Sequence, residues 1–259
     1  MSNVLKSDFY RLAASSKLLY GLAALVSGIA FLLTMMVRSD ISLGIGASDT
    51  WIIISEIDDI IRMGIQYHNG LLGVVAAVLI SVFIGQEYQW KTWQNKWVTS
   101  QNRAHIYLSK MALSSFASAA IFLAYQLAAL FSSGQVGAIL TGEYVFMIIC
   151  GVFIYAALGT VICLIAMSVK NNVAGVIMCL CYVLFIETLL FAASNLANIS
   201  AAAGGFADWG IRHSIYGMAA VVSSADFSPE RTFGIVINAL IIMALSTVVG
   251  LLIFRKHEL

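Results

Sequence analysis

Six stretches of this sequence are apolar for about the length of a membrane crossing, and that limits the fold more than any motif does. They run over residues 18–37, 70–86, 111–132, 144–168, 173–193 and 233–254. Crossing about 30 Å of hydrocarbon at 1.5 Å per residue takes about 20 residues. The second run is the shortest and reaches that length only with Gln86 and Glu87 at its mouth. The first, from Leu18 to Val37, is longer than a signal-peptide core and has no small-residue cleavage site before Arg38, so it reads as a retained span. Composition agrees. The chain is 61% hydrophobic and 10% charged, with a mean hydropathy of +0.92, where a soluble domain has about 45–50% and 25%. Over residues 1–259 we therefore expect a single all-α membrane domain of six transmembrane helices. A formal net charge of +1 excludes nucleic acid as a partner, because phosphate binding needs a basic surface.

Orientation follows from the basic residues. Lys6, Arg11, Lys17, Lys91, Lys96, Arg103, Lys110, Lys170, Arg255 and Lys256 fall on one side, and only Arg38, Arg62, Arg212 and Arg231 on the other. The richer side should be cytoplasmic, with both termini inside. Three segments outside the spans have patterns of their own. Residues 3–17 place Leu5, Phe9 and Leu12 at helical spacing, which suits an interfacial N-terminal helix. Over 51–66 a helical wheel gathers Ile53, Ile54, Ile57, Ile60, Ile61 and Ile65 on one face, predicting an amphipathic external helix. Within 194–232, Gly204 and Gly205 break the chain, and Asp208 to Val222 is a second helical candidate.

The enzyme classes fit poorly. No G-x-S-x-G or H-E-x-x-H motif occurs, and His68, His105, His213 and His257 sit at span ends or in loops. Cys150, Cys163, Cys179 and Cys181 lie in apolar runs and read as core packing, neither disulfide framework nor metal site. An intramembrane hydrolase would need convergent polar groups at membrane depth. A secondary transporter would typically show inverted repeats and broken helices.

The loop between spans two and three is the most informative segment. Trp90, Trp93 and Trp97 recur at i, i+3 and i+7, so a helix over about 87–98 would lay them in one stripe along the membrane interface. Lys91, Thr92 and Lys96 point away from that stripe. Glu87, then Thr92, then Arg103 and Lys110 ahead of span three resembles the permease subunits of ABC-2 type ABC transporters. Lys91 stands where that family often has glycine, and Ser100-Gln101-Asn102 where a proline often precedes the arginine. The likeness covers the whole chain and is closest to bacterial exporters of antimicrobial or amphipathic peptides, of the phenol-soluble-modulin or lantibiotic-immunity kind.

The resemblance implies a transport permease in the bacterial cell membrane, working as a homodimer with two copies of a separate ATPase. The chain has no G-x-x-x-x-G-K-S/T phosphate loop, so it should bind no cofactor itself, with ATP and Mg held by the ATPase. Glu87, Trp90, Lys91, Thr92, Trp93, Lys96, Trp97 and Arg103 would form the ATPase-coupling element, with Arg103 or a base of the ATPase facing Glu87. The substrate expectation is an amphipathic or antimicrobial peptide, the alternatives being a drug or lipid. The spans carry few polar groups that could read a sugar or ion, mainly Tyr125, Gln126, Tyr155, Thr160, Asn238 and Thr247.

Glu187 is the one acidic residue deep in a span. It lies about 14 residues, or roughly 21 Å, along span five. An ionised carboxylate there costs at least about 2.5–3.5 kcal/mol, so it should be neutral, paired or facing a wet cavity. Thr188 is the sole polar neighbour on its face. Two readings stand: a neutral acid bonded to a neighbouring helix, or a residue of the conduit or dimer seam.

Overall fold

The computed structural model describes residues 2–12, 17–39, 43–45, 52–54, 56–66, 71–90, 103–169, 171–197, 209–224 and 229–256. A short helix α1 (Ser2–Tyr10) precedes α2 (Lys17–Arg38). Two strands, β1 (Leu43–Ile45) and β2 (Ile52–Ile54), and a helix α3 (Ile57–Met63) lead to α4 (Leu71–Gln89). Then come α5 (Arg103–Ser132), the one-turn α6 (Val136–Ile139), α7 (Gly142–Val169) and α8 (Asn172–Ala197). A helical stretch at 209–213 and α9 (Ile215–Ser223) lie between α8 and the last helix, α10 (Pro229–Lys256). Helices α2, α4, α5, α7, α8 and α10 are long and apolar enough to cross a membrane. They match the six predicted runs and fit a multi-pass membrane protein.

The bundle has an inner and an outer layer. The membrane-crossing stretches of α4, α5 and α7 are 67%, 67% and 56% buried, against 17%, 17% and 22% for α2, α8 and α10. The outer helices still present large apolar side chains: Leu25 and Leu32 on α2, Leu184 and Leu189 on α8, Leu240 and Leu245 on α10. An apolar surface on that scale needs a nonpolar surrounding, which lipid supplies. The inner layer packs through small residues. Gly159 of α7 lies so close to α5 that a Cβ there would stand 2.5 Å from the Ser114 carbonyl oxygen. Beside Gly151 the rings of Phe122 and Tyr155 stack at 4.8 Å. Close backbone approach is the usual means of helix association in lipid.

The end of the bundle that carries α3 departs from the helical wheel. Residues 52–54 are a strand, paired antiparallel with Leu43–Ile45, and only Ile57–Met63 is helical. Three consecutive β-branched isoleucines suit an extended ribbon as well as a helix face, and a partner strand decides it. Helix α3 begins on a reciprocal capping box between Glu56 and Asp59. It then sinks into the bundle: Ile60, Ile61 and Ile65 are at most 1% exposed. Three span side chains take up its last carbonyls. Tyr125 Oη donates to Ile60 O at 3.0 Å, Gln126 Nε2 to Ile61 O at 3.0 Å, and Tyr155 Oη to Gly64 O at 2.8 Å. These are polar groups that the sequence offered as conduit wall, and in the structure they hold α3.

The helix expected over 208–222 is broken in two. Ser214 interrupts it and caps α9, its Oγ accepting from Gly217 N at 3.0 Å. At the same end Arg38 donates to the Ser132 carbonyl at 3.2 Å, next to Gly134, whose φ of +68 closes the turn after α5. Basic groups are favoured at helix C-termini, where carbonyls have no helical partner.

Candidate functional site: a buried ion cluster

At the α1 end of the bundle, four charged side chains meet in the interior. Glu87 stands in the last turn of α4, Lys110 two turns into α5, and Asp8 and Arg11 belong to the N-terminal helical segment. Glu87 and Lys110 are 0% exposed, Asp8 is 1% exposed and the Arg11 side chain 26%. Lys110 Nζ pairs with Glu87 Oε1 and, at 3.1 Å, with Asp8 Oδ1. Arg11 Nη1 reaches Glu87 Oε1 at 2.6 Å, and its Nη2 donates to the Phe83 carbonyl at 2.8 Å. Ser109 Oγ donates to Asp8 Oδ2 at 3.0 Å. The Phe83 ring lies 4.2 Å from the Arg11 guanidinium carbon and 4.6 Å from Lys110 Nζ.

Two acids and two bases make the cluster formally neutral. Taking these charges out of water costs several kcal/mol each, and only mutual pairing and further hydrogen bonds offset it. The cluster therefore locks three elements into one geometry. Its partners are separated by up to 102 residues: 110 less 8. Around it the end of α4 is held on its other side as well. Tyr88 Oη donates to the Met167 carbonyl at 3.3 Å, and Asn172 Nδ2 to Gln89 Oε1 at 3.2 Å.

The sequence-derived site maps onto this only in part. Glu87 is central, but it sits inside the second span helix and does not begin a separate coupling helix. Its described ion-pair partners are Lys110 and Arg11; the Arg103 side chain lies outside the described residues. Arg103 opens α5, seven residues before Lys110. Trp90 follows α4 and is 64% exposed. Lys91, Thr92, Trp93, Lys96 and Trp97, the body of the expected coupling helix, lie outside the described residues. Sequence reasoning misses Asp8 and Arg11. Asp8 shares a helical stripe with Leu5 and Leu12, and this stripe faces inward, whereas Phe9 stays 47% exposed. One acid among apolar neighbours in residues 1–17 is the available signal.

No protein-family model matches the sequence, and no curated protein matches it.

Glu187 lies at the other end of the bundle. It finds a partner that the span itself could not show: Tyr216 Oη of α9 donates to Glu187 Oε1 at 3.2 Å. Burial first, and then the Glu187 carboxylate, push the Tyr216 phenol upward, so it remains a donor at neutral pH. Helix α9 also binds α3: Gln66 Nε2 donates to Ser223 Oγ at 2.9 Å and Arg62 Nη1 to the Ser223 carbonyl at 3.4 Å. Cys150, Cys163 and Cys179 are buried and Cys181 is exposed, all as free thiols.

Proposed function

We propose that this chain is the membrane permease of an ATP-driven exporter, and that the Asp8–Arg11–Glu87–Lys110 cluster is the rigid joint through which a separate ATPase moves the bundle. One observation carries the reading: charged groups from α1, α4 and α5 lock together, and the chain continues directly from that lock into exposed Trp90 and the Trp- and Lys-rich segment after it. A push on 87–98 by an ATPase would then reach the N-terminal helix α1 and spans two and three as a unit. Such rigid-body rocking is a standard way to convert ligand binding into domain motion. The resemblance to ABC-2 type permeases supplies the rest: a homodimer, two ATPase copies holding ATP and Mg, a bacterial cytoplasmic membrane, and an amphipathic or antimicrobial peptide as cargo. A drug or lipid is the alternative cargo.

Changing Glu87→Ala should leave insertion intact and abolish cargo-stimulated ATP hydrolysis by the copurified ATPase. Normal stimulation in that variant would remove Glu87 from the coupling role. Orientation has its own check. Single cysteines at Ser48 and Ala225 should react with an impermeant thiol reagent from outside, and those at Asn95 and Asn171 should not. External labelling at Asn95 would invert the topology.

The same cluster favours one second reading, since buried ionisable groups in membrane bundles also serve as proton or ion relays. In that case transport would follow an ion gradient and need no nucleotide.

A further inference from the structure

The outward side of α1 has a chemistry that the ion cluster does not use. Lys6 and Tyr10 stand one turn apart on it, opposite the stripe of Leu5, Asp8 and Leu12 that turns into the bundle. Tyr10 is 71% exposed. Phe9 lies on the edge between the two sides, where its ring meets that of exposed Phe116 on α5 at 5.9 Å. Lys17 and Tyr20 in the first turn of α2 are exposed as well. Docking of α1 decides the charge of this surface. Residues 1–39 contain one acid, Asp8, and it is inside, paired with Lys110 and accepting from Ser109. Arg11 is taken up by Glu87 and the Phe83 carbonyl. Lys6 and Lys17 are therefore left outward with no acid to offset them.

We propose that α1 and the first turn of α2 form a docking surface for anionic lipid headgroups, with Lys6 and Lys17 as the recognising charges and Phe9, Tyr10 and Tyr20 as the anchors. Aromatic rings settle at the boundary between headgroups and acyl chains, and ammonium groups beside them reach lipid phosphates. Each lysine held near an anionic membrane surface favours binding about fivefold. An acidic protein surface would satisfy the lysines, but it would not account for rings set beside Phe116 on the outside of a span helix. The opposite side of α1 carries Asp8 and Arg11 into the cluster, so one short helix joins the lipid surface to the groups that lock α4 and α5.

The test replaces Tyr10 with the photocrosslinker benzoylphenylalanine in the whole chain, reconstituted in vesicles of equal parts phosphatidylglycerol and phosphatidylcholine. At low salt, illumination should give phosphatidylglycerol adducts in excess over phosphatidylcholine by at least about fivefold. Lys6→Gln with Lys17→Gln should bring the ratio close to one, and Lys6→Arg with Lys17→Arg should keep it. Salt at about 0.5 M should shrink it, because exposed charges are then screened within a few Å. All of these positions are exposed, so the variants keep the fold of the parent. Equal adducts with the two lipids in the parent chain, or an unchanged preference in the glutamine variant, would overturn the proposal. So would crosslinking in cell membranes that goes to a protein in place of lipid, which would assign this side of α1 to a protein partner. No ATPase enters the experiment, so its outcome is independent of the export reading.

Discussion

Lys110→Met is expected to lower stability by about 3–5 kcal/mol, the range for removing one partner from a buried ion pair. Methionine keeps most of the apolar stem of lysine, so packing changes little and the effect is electrostatic. Asp8 loses its ion pair with Lys110, and Glu87 retains the one with Arg11. At roughly 2–4 °C per kcal/mol for a chain of this size, the melting temperature in detergent should drop by about 6–20 °C. Adding Asp8→Asn makes the cluster neutral again, with Arg11 facing Glu87, and should restore much of the loss. A drop under about 1 kcal/mol would mean that the four groups behave like exposed surface pairs. Thermal unfolding of the single and double variants decides between the two.

The second large effect is steric. Gly159→Leu puts a branched side chain where even a Cβ would meet the Ser114 carbonyl at 2.5 Å. Spans three and four must then separate, and overpacking of this kind costs typically about 1–3 kcal/mol, with more where backbone cannot yield. Gly234→Leu on α10 is the matched control, because no atom lies within 4 Å of its Cβ position. Folding yield in detergent should fall for the first and hold for the second. If both fold equally well, the inner layer is looser than the contact implies.

What the sequence makes legible follows from how far each signal reaches. A bilayer demands about 20 apolar residues in a row, so each span announces itself within one window. Hydropathy starts span three at 111 because Arg103 to Lys110 look like loop. The helix begins at Arg103 since Ile106, Tyr107 and Lys110 are all taken into the interior. Glu87 stands out in the sequence, but its partners depend on contacts across 23 and 76 residues, from 87 to 110 and from 11 to 87, which no local pattern encodes. Asp8 is hidden for a related reason. An acid on an interfacial helix is ordinarily solvated, and only tertiary docking turns it inward. Tyr125, Gln126 and Tyr155 look like polar spots in an apolar wall. Their use becomes visible only where α3, which the helical wheel makes one end of a longer external helix, ends against them.

The most direct test of the central claim is reconstitution of the permease in liposomes with the ATPase that copurifies with it. An amphipathic cationic peptide should stimulate ATP hydrolysis and move only when nucleotide is hydrolysed, and Glu87→Ala should abolish both effects. Peptide movement driven by an ion gradient in the absence of ATP would contradict the account.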